Sequence, residues 1–478
     1  MVYLWICLGI FALLIGILLL RAALFRPKTA PVLSAEPEEL DGDEAVLALQ
    51  KLVQCRTVSR YNPAEEEDEE FEKLIALLPE LYPEVFRVCS LDRLPDRGLL
   101  FRWKGREEGN PSVLMAHYDV VPVNRDQWEK DPFGGEIENG ILWGRGTLDT
   151  KVTFNGILFA ANTLISRGFV PKRDVYFAFS GGEEVNGMGA VHIVDYFAEN
   201  GIDPALVLDE GGAVVEKVFP GVKAPCGVVG IAEKGMMNVT FSVKSQGGHA
   251  SAPKPHTPVG ILSKACCAVE NHPFPMRLTK PAAEMFDTLG RHSSFLYRII
   301  FANIGLFGWV LDLLGKKQGG EINALLRTTV AFTQMEGSSA PNVIPPEATM
   351  TANLRLNPAD SVEGAKKRLE KIINDPNITV TVGSHMEPSR ISRTDCEGWK
   401  IVEKAVAETW TGCLVSPYLM VQCSDSRHYG RISDKVYRFS AMALSSEERA
   451  TIHGNNERIP LEKVGKTAEF YVRLMKEC

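Results

Sequence analysis

The sequence predicts an α/β fold, in which a main domain with a mostly parallel central sheet is interrupted by a smaller inserted α+β domain. Two observations indicate this arrangement. Between residues 113 and 212, short apolar runs alternate with segments of helical apolar spacing, which is typical of strand–helix–strand units. After Lys234 and Gly235, apolar residues alternate with polar ones, as in strands with one solvated face. A second domain is therefore expected within the first.

Five elements follow one another in the first part of the main domain. Residues 113–121 (VLMAHYDVV) and 174–180 (DVYFAFS) are apolar enough to be strands that are buried on both faces. Residues 150–168 have apolar side chains at helical spacing and end at a glycine, a typical helix stop. A helix at 187–201 and a strand at 205–212 complete the alternation. These elements predict a sheet covered by helices.

A different set of elements follows. Strands are predicted at 237–245, 328–337 and 347–356, and helices at 258–271, 361–375, 398–410 and 461–477. The strands and helices before residue 388 suit a small α+β domain. The helices after that point return the chain to the main domain.

The composition is that of a globular protein. Of the 478 residues, 45% are hydrophobic and 23% are charged, which excludes a disordered chain. The net charge of −8 argues against nucleic-acid binding, which requires a basic surface. The ten cysteines contain no C-x-x-C pair, and this pattern fits reduced thiols in the cytoplasm better than a disulfide framework.

The N-terminal segment is long and apolar enough to cross a membrane. Val2–Leu20 contains no charge over 19 positions. A secretory signal peptide is the alternative, but such peptides have a positive charge before the apolar run and a shorter apolar core. Here the positive residues Arg21, Arg26 and Lys28 follow the run. We expect a single-pass anchor, with the following chain on the cytoplasmic side.

A second apolar segment, residues 295–315 (FLYRIIFANIGLFGWVLDLLG), lies inside the predicted insert. Its uncharged stretch, Ile299–Leu311, has 13 residues and is too short to span a bilayer. Two interpretations stay open. The segment is either a buried helix or packing surface, or a hydrophobic channel or membrane-touching face that serves an apolar substrate.

Ionisable residues follow the predicted strands of the main domain. His117 and Asp119 lie near the end of the first strand, Asp149 lies in a Gly-rich loop before a helix, Glu183 and Glu184 follow the next strand, and Asp209 ends the last. In an open α/β sheet, ligands bind at the carboxyl ends of the strands. Carboxylates crowded at this edge would repel one another, and cations relieve that repulsion. Histidine with Asp and Glu is the ligand set of hydrolytic zinc.

Seven motifs occur in the order found in the dinuclear zinc amidohydrolases and metallopeptidases. They are AHYDVVPV, WGRGTLDTK, GGEEVNGMGA, LDEGG, GGHASAP, PNVIPPEA and IHGNNERI. The chain resembles this family, which includes aminoacylase, glutamate carboxypeptidase and acetylornithine deacetylase, from about residue 45 onward. It is most similar to the carboxypeptidase S branch, which also contains an N-fatty-acyl-amino-acid hydrolase/synthase.

The resemblance implies two Zn²⁺ ions per subunit, with Co²⁺ or Mn²⁺ as substitutes. His117 and Asp209 would bind one ion. Glu184 and His453 would bind the other, and Asp149 would bridge both. Two metals that share a water lower its pKa and generate hydroxide at neutral pH.

The resemblance also implies catalytic roles. Glu183 would be the general base, taking the proton as hydroxide attacks an amide carbonyl and delivering it to the leaving amine. Asp119 would orient His117, as carboxylates behind metal-bound imidazoles do. His249, in the inserted domain, would donate a hydrogen bond to the oxyanion, reaching across from a dimer partner as in many members.

Substrate recognition is expected from Asn342, Arg355 and, more weakly indicated, Arg427 in SDSRHYG. An arginine binds a carboxylate through two hydrogen bonds. The sequence departs from the family at Thr150, where an acidic residue is common, and we expect the unusual peptide bond before it to persist. It departs again at Cys423 and Ser424, which puts the detailed shape of the substrate pocket in doubt.

The predicted function is zinc-dependent hydrolysis of N-acyl amino acids or of C-terminal peptide bonds. The alternative is a catalytically inactive, membrane-tethered binding protein of the same fold.

The expected partners are a small substrate, a membrane and a second copy that binds through the insert; nucleic acid is not expected. The predicted segments are an anchor at 1–26, a linker at 27–44, the catalytic domain at 45–235 and 389–478, and the inserted lid or dimerisation domain at 236–388.

Overall fold

The computed structural model describes residues 1–478 and contains seventeen β-strands and fifteen α-helices. The strands are β1 Ser90–Leu94, β2 Gly98–Trp103, β3 Ser112–His117, β4 Ile137–Glu138, β5 Ile141–Trp143, β6 Val175–Ser180, β7 Leu206–Val215, β8 Cys226–Glu233, β9 Gly235–Lys244, β10 Gly248–His249, β11 Thr329–Glu336, β12 Val343–Ile344, β13 Glu347–Leu356, β14 Ile378–Met386, β15 Leu414–Met420, β16 Val436–Ala443 and β17 Arg458–Pro460. The helices are α1 Val2–Leu24, α2 Gly42–Val53, α3 Asp68–Leu81, α4 Pro83–Val88, α5 Lys151–Ser166, α6 Gly189–Glu199, α7 Pro258–Asn271, α8 Lys280–His292, α9 Phe295–Phe301, α10 Ile304–Gln318, α11 Gly320–Leu326, α12 Val362–Ile373, α13 Glu397–Thr409, α14 Ser446–Thr451 and α15 Leu461–Glu477. Short 3₁₀ helices lie at Pro63–Glu65, Arg125–Gln127, Glu183–Val185 and Asp425–Arg431.

The main domain is built on a mixed eight-stranded sheet, with the strand order β1-β2-β6-β3-β7-β16-β8-β15. β3 pairs in parallel with β6 and β7, β7 with β16, and β8 with β15. All six residues of both β3 and β6 are buried, as their unbroken apolar runs predict. The predicted α/β class is confirmed. The carboxyl ends of β3, β6 and β7 consequently meet at one edge of the sheet.

The inserted sheet has the order β11-β13-β9-β14, and all its pairings are antiparallel. Burial alternates along β9 between buried and half-buried residues, so one face is covered and the other is solvated. The covered face packs on α7 and α12 through residues such as Phe241, Leu262 and Leu369. The expected α+β insert with one solvated face is present.

The middle of the predicted insert packs elsewhere. Met285, Phe286 and Leu289 of α8, together with Phe301 of α9, belong to the large core of the main domain, although they lie within the predicted range 236–388. These residues find a larger apolar surface against the main sheet than the four-stranded insert offers, and burying them there removes more apolar area from water. The chain therefore leaves the inserted sheet after α7 and returns to it at β11.

α1 is long and apolar enough to cross a membrane, with a mean hydropathy of 2.7 in its most apolar window. The apolar segment at 295–315 forms α9 and α10, whose axes differ by 101°. The two helices pass the length and hydropathy test for a span together, but they are not one straight helix.

The central strand β7 provides a test of where the core lies. We expect Leu208→Ala to lower the stability of the main domain by about 2–5 kcal/mol, because Leu208 is fully buried and its truncation leaves a cavity. The matched control is Leu47→Ala on α2, where the leucine is 56% exposed and the expected change is within about 0.5 kcal/mol. Chemical denaturation of the two variants measures both. Equal losses would contradict this assignment of the core.

Candidate active site

Five loops or strand ends bring histidines and carboxylates to one edge of the main sheet. Their positions are as follows: His117 ends β3, Asp149 precedes α5, Glu183 and Glu184 follow β6, Glu210 lies within β7, and His453 follows α14. Since these segments are far apart in sequence, the fold rather than local structure assembles the cluster.

The side chains of the cluster lie within contact distance. His117 Nε2 is 3.0 Å from Asp149 Oδ1 and 3.3 Å from Glu210 Oε1. His453 Nε2 is 3.2 Å from Asp149 Oδ2 and 3.1 Å from Glu184 Oε2. Asp149 therefore presents one carboxylate oxygen to each histidine and lies between the two halves of the cluster.

The spacing of these atoms fits divalent cations. Zinc binds imidazole nitrogen and carboxylate oxygen at about 2.0–2.2 Å with tetrahedral angles, which places neighbouring ligand atoms roughly 3.3–3.6 Å apart. The four nitrogen–oxygen distances, 3.0 to 3.3 Å, are close to that range. In addition, Glu184 Oε1 is buried and has no hydrogen-bond partner, which costs free energy unless a donor or a cation binds it. The residues present fit a metal site on both counts.

The electrostatics of the cluster favour positive charge. Burial and the charge of Asp149 raise the pKa of Glu210 to about 8. Burial likewise raises the pKa of Glu183 well above its usual range. Burial opposes protonation of His117, but the carboxylates of Glu210, Asp119 and Asp149 outweigh it and raise the pKa of this imidazole. Bound cations would neutralise the same negative charge that protons neutralise here.

Asp119 is fully buried behind His117 and joins two loops of the site. Its backbone carbonyl oxygen lies 3.0 Å from His117 Nδ1, and its carboxylate Oδ1 lies 3.3 Å from the same nitrogen. Its two oxygens also accept the backbone N–H groups of Glu183 and Glu184, both at 3.2 Å, and Ser59 Oγ donates to Oδ2 at 2.6 Å. This is the placement expected of a carboxylate that orients a metal-binding imidazole, and Asp119 fixes the neighbouring Glu183–Glu184 turn as well.

Glu457 plays a comparable part on the other side of the cluster, although no local sequence signal singles it out. It is fully buried and is paired with Arg145. Its Oε1 accepts the N–H groups of Gly146, Leu148 and Asp149 at 3.1, 2.7 and 3.1 Å. These three bonds fix the Gly-rich loop. A single acid in the motif IHGNNERI carries no local signal for such a role, because its partners lie about 310 residues away in sequence.

The loop that holds Asp149 leads directly into α5. The peptide bond between Asp149 and Thr150 is cis, as expected despite the threonine at this position. Thr150 is fully buried, and its Oγ1 donates a hydrogen bond to Thr153 Oγ1 at 2.9 Å. The departure from an acidic residue is thus accommodated by a hydrogen bond inside the first turn of the helix.

The structure differs from the sequence-based expectation at Asp209. Its Oδ2 accepts the N–H of Ser426 at 2.9 Å. Asp209 is not among the residues whose ligand atoms lie close enough together to hold a metal ion. Glu210, the next residue, lies beside His117 instead. Successive side chains of a strand point to opposite faces, so one of two adjacent acids reaches the cluster and the other does not. The motif LDEGG contains both acids, and in this structure the second one, Glu210, lies beside His117.

A third buried acid, Glu233, holds the loop around the departures at Cys423 and Ser424. Arg438 Nε donates to Glu233 at 2.6 Å, and the backbone N–H of Ser424 donates at 3.1 Å. Ser426 Oγ adds a bond of 3.2 Å. The serine at 424 therefore helps to anchor the loop that supports Asp209 and Arg427.

Both predicted carboxylate-binding arginines lie near this loop. Arg355 Nη1 is 3.7 Å from the thiol of Cys423. Arg427 donates to the carbonyl of Ser424 at 3.0 Å and to Asn186 Oδ1 at 3.1 Å, and Asn186 directly follows the loop of Glu183 and Glu184. Arg427 Nε is buried without a partner. Arg427 is therefore placed beside the cluster with an unused donor.

His249 and Asn342 lie apart from the cluster in this single chain. Both are exposed and belong to the paired region of β10 and β12, where the N–H of Ala250 donates to the carbonyl of Asn342 at 3.0 Å. His249 Nδ1 accepts the N–H of Ser251 at 3.1 Å, and no hydrogen bond or ion pair joins either predicted residue to the metal ligands. The structure brings these two residues together with each other, but not with the site.

A cavity of about 1300 Å³ is also separate from the cluster. The cavity lies between the α9–α10 pair and the C-terminal ends of β7 and β16. Its apolar lining includes Val214, Ile300, Leu311, Leu314 and Trp410, and no candidate metal ligand belongs to it.

Comparison with known proteins adds to this geometry. The sequence pattern of peptidase family M20/M25/M40 matches residues 113–477. The chain belongs to this family. This M20 peptidase is 34% identical to "Probable carboxypeptidase S-like 2" of Dictyostelium discoideum over 97% of its own length and 92% of the relative's. It is 33% identical to "N-fatty-acyl-amino acid synthase/hydrolase PM20D1" of Xenopus tropicalis over 97% and 94%.

Among solved structures, the M20 family metallo-carboxypeptidase Sso-CP2 of Sulfolobus solfataricus is similar, with a TM-score of 0.66 and 19% identity, covering 91% of this chain and 99% of that one. This likeness confirms the fold of an M20 peptidase. By its family the protein is a metal-dependent hydrolase of carbon–nitrogen bonds in amides or peptides.

The Asp209–Glu210 pair can be tested directly. We expect Glu210→Gln to lower metal affinity about 10-fold or more, because an amide is a poor substitute for a charged ligand beside His117. Asp209→Asn keeps an acceptor for the Ser426 N–H and is expected to retain the metal content of the wild type. Elemental analysis after dialysis against a weak chelator measures both variants. The reverse ranking would restore Asp209 as the ligand.

Proposed function

We propose that this protein is a dinuclear zinc hydrolase that cleaves the amide bond of N-acyl amino acids. The observation that carries the proposal is the position of Asp149 between His117 and His453, with one carboxylate oxygen toward each imidazole. Such a carboxylate suits two cations at once. His117 and Glu210 would hold one ion, and Glu184 and His453 would hold the other. Imidazole and carboxylate ligands suit zinc, and cobalt or manganese would fit the same set.

When bound, the two ions would supply positive charge that acidifies a water and polarises an amide carbonyl. The chain's own residues then move the protons. Glu183 has no hydrogen-bonded cation, and burial raises the pKa of its carboxyl group, which makes its carboxylate a better proton acceptor than an exposed one. The same group would return the proton to the leaving amine nitrogen. Asp119 holds the backbone N–H of Glu183 and thereby sets the position of this acid.

The substrate's carboxylate would bind arginine. Arg427 has a buried, unpaired Nε beside the cluster, and Arg355 lies across the same loop. A guanidinium binds a carboxylate through two parallel hydrogen bonds. We propose that these two residues fix the free carboxylate of the amino acid, so that the amide next to it lies at the metals.

His249 and Asn342 are exposed, which supports the proposal that they reach the active site of a second copy of the chain. Neither residue contacts the cluster within one chain, and both lie on the insert. In a homodimer formed through the insert, His249 of the other subunit would donate to the oxyanion, and Asn342 would line the substrate.

Two features support an acyl substrate over a peptide. The chain has an apolar cavity lined by α9 and α10 and an N-terminal helix fit to cross a bilayer. We propose that α1 is a membrane anchor, with Arg21, Arg26 and Lys28 keeping the catalytic domain on the cytoplasmic side. The relative named as a carboxypeptidase keeps peptide hydrolysis as the second candidate.

The role of Glu183 gives the first test. We expect Glu183→Gln to lower kcat by about 10²–10⁴-fold, because the amide cannot accept the proton, while the bound metal stays at the wild-type amount. Glu199→Gln, at an exposed position on α6, is the matched control and should be fully active. Turnover and elemental analysis are measured on the same samples. Wild-type activity of Glu183→Gln would exclude the proposed mechanism, and inactivity of the metal-loaded wild type toward amides would favour a binding protein.

The substrate class gives the second test. N-oleoyl-phenylalanine and an N-blocked glycyl-phenylalanine both release phenylalanine, so only the acyl part differs between them. We expect a higher kcat/KM for the oleoyl substrate, because its chain gains apolar contacts that a short peptide lacks. Phenylalanine release measures both reactions. Faster turnover of the dipeptide by a wide margin would establish a carboxypeptidase instead.

A further inference from the structure

The α9–α10 pair, which we call the hairpin (Phe295–Gln318), has an exposed apolar face. Leu306, Trp309 and Leu313 follow one another at helical spacing along α10 and are 57%, 66% and 58% exposed. Leu296 of α9 is 71% exposed. Contiguous exposed side chains of this size are rare on soluble surfaces unless something covers them.

The opposite face of the hairpin packs inward. Phe301 is buried in the main core, and Ile304 and Leu311 pack against the same core. The hairpin is therefore apolar on both sides. A helix that is apolar all round is covered by protein or by lipid on each face, and the protein covers only the inner face here.

The hairpin is fixed to the end of α1. Asn303, at the bend between α9 and α10, is 2% exposed and donates to the carbonyl of Leu18 at 3.2 Å. Ala22 is fully buried in the same contact region. Beyond the helix, Arg291 donates to the carbonyl of Arg26 at 3.1 Å, so α8, which precedes the hairpin, is tied to the same end of the chain.

These contacts give the depth of the hairpin relative to α1. Leu18 lies three residues before Arg21, the first charge after the apolar run, which is about 4.5 Å along the helix. The bend thus lies just inside the level at which the apolar part of α1 ends. Helices that lie in a membrane interface are buried to a similar depth, about 5–10 Å.

The hairpin is also not a straight membrane span. α9 has 7 residues and α10 has 15, or roughly 10 and 22 Å, and each is shorter than the hydrocarbon core of about 30 Å. Because the two axes differ by 101°, they do not add up to one crossing. The hairpin therefore matches an element that enters one leaflet and does not cross it.

We propose that the outer face of the hairpin, formed by Leu296, Leu306, Trp309 and Leu313, is embedded in the lipid leaflet that surrounds the C-terminal end of α1. The anchor and the hairpin together form one membrane-contacting surface. The catalytic body is then held against the bilayer in a single orientation, with the cavity of about 1300 Å³ on the inner side of the embedded helices. This inference rests on the proposed anchoring by α1.

Two tryptophans allow the anchor and the hairpin to be tested separately. Trp5 lies in α1 and Trp309 in the hairpin, and both are exposed to the surroundings of the protein. The full-length protein is placed in lipid nanodiscs, with or without bromine on the acyl chains, which quenches nearby tryptophans. We expect brominated lipid to quench both residues. Accordingly, Trp5→Phe and Trp309→Phe should each remove a separate part of the quenched emission.

Variants that place charge on the exposed face of the hairpin are compared with a control variant that places charge elsewhere. Leu306→Glu with Leu313→Glu should shift the emission of Trp309 to the red and remove its quenching, while Leu47→Glu on α2, at a similar exposure, should leave both unchanged. A circular dichroism spectrum equal to that of the wild type checks that the variants fold.

The outcomes separate the two proposals. Quenching of Trp5 without quenching of Trp309 would overturn the embedded hairpin and leave the anchor intact. Absence of quenching at both residues would overturn both. If Trp309 is protected from brominated lipid and also from aqueous iodide, and the nanodiscs prove to contain two copies, the hairpin binds a second chain and the inference is wrong.

Discussion

The active site depends on hydrogen bonds between buried carboxylates and the backbone of its loops. Asp119 accepts the N–H groups of Glu183 and Glu184, Glu457 accepts three from the Gly-rich loop, and Glu233 accepts that of Ser424. Loops at a strand end have backbone groups without partners in secondary structure, and a buried charge satisfies them strongly. Removing one such acid would leave several donors unpaired at once. Through these bonds, the acids set where the candidate metal ligands lie.

The same arrangement concentrates negative charge on one side of the site. Four carboxylates lie together, those of Asp149, Glu183, Glu184 and Glu210, and the neighbouring histidines can bind a cation. Asp119 and the fold hold these groups against their mutual repulsion. The free energy that this costs is recovered when cations bind, so folding prepares the site for metal. Adjacent acids take different positions here because each turn or strand directs neighbouring side chains apart.

The inserted segment packs in two separate parts. The four-stranded sheet keeps its own small core, whereas α8 to α11 pack on the main domain. This separates the insert's sheet from the main core and places the hairpin beside α1. The inserted segment thus divides into a sheet with its own core and helices that extend the main domain.

The sequence by itself determined the α/β class and the alternating insert, and it predicted His117, Asp149, Glu183, Glu184 and His453 at one site, because apolar periodicity and motif order are local properties. It did not select Glu210 over Asp209, since which face of β7 meets His117 depends on the neighbouring strands. It also gave no indication of Glu457, whose partners are about 310 residues away. The bend at Asn303 and its contact with Leu18 were decided only by tertiary packing. Contacts between distant segments depend on the whole fold, which no local pattern records.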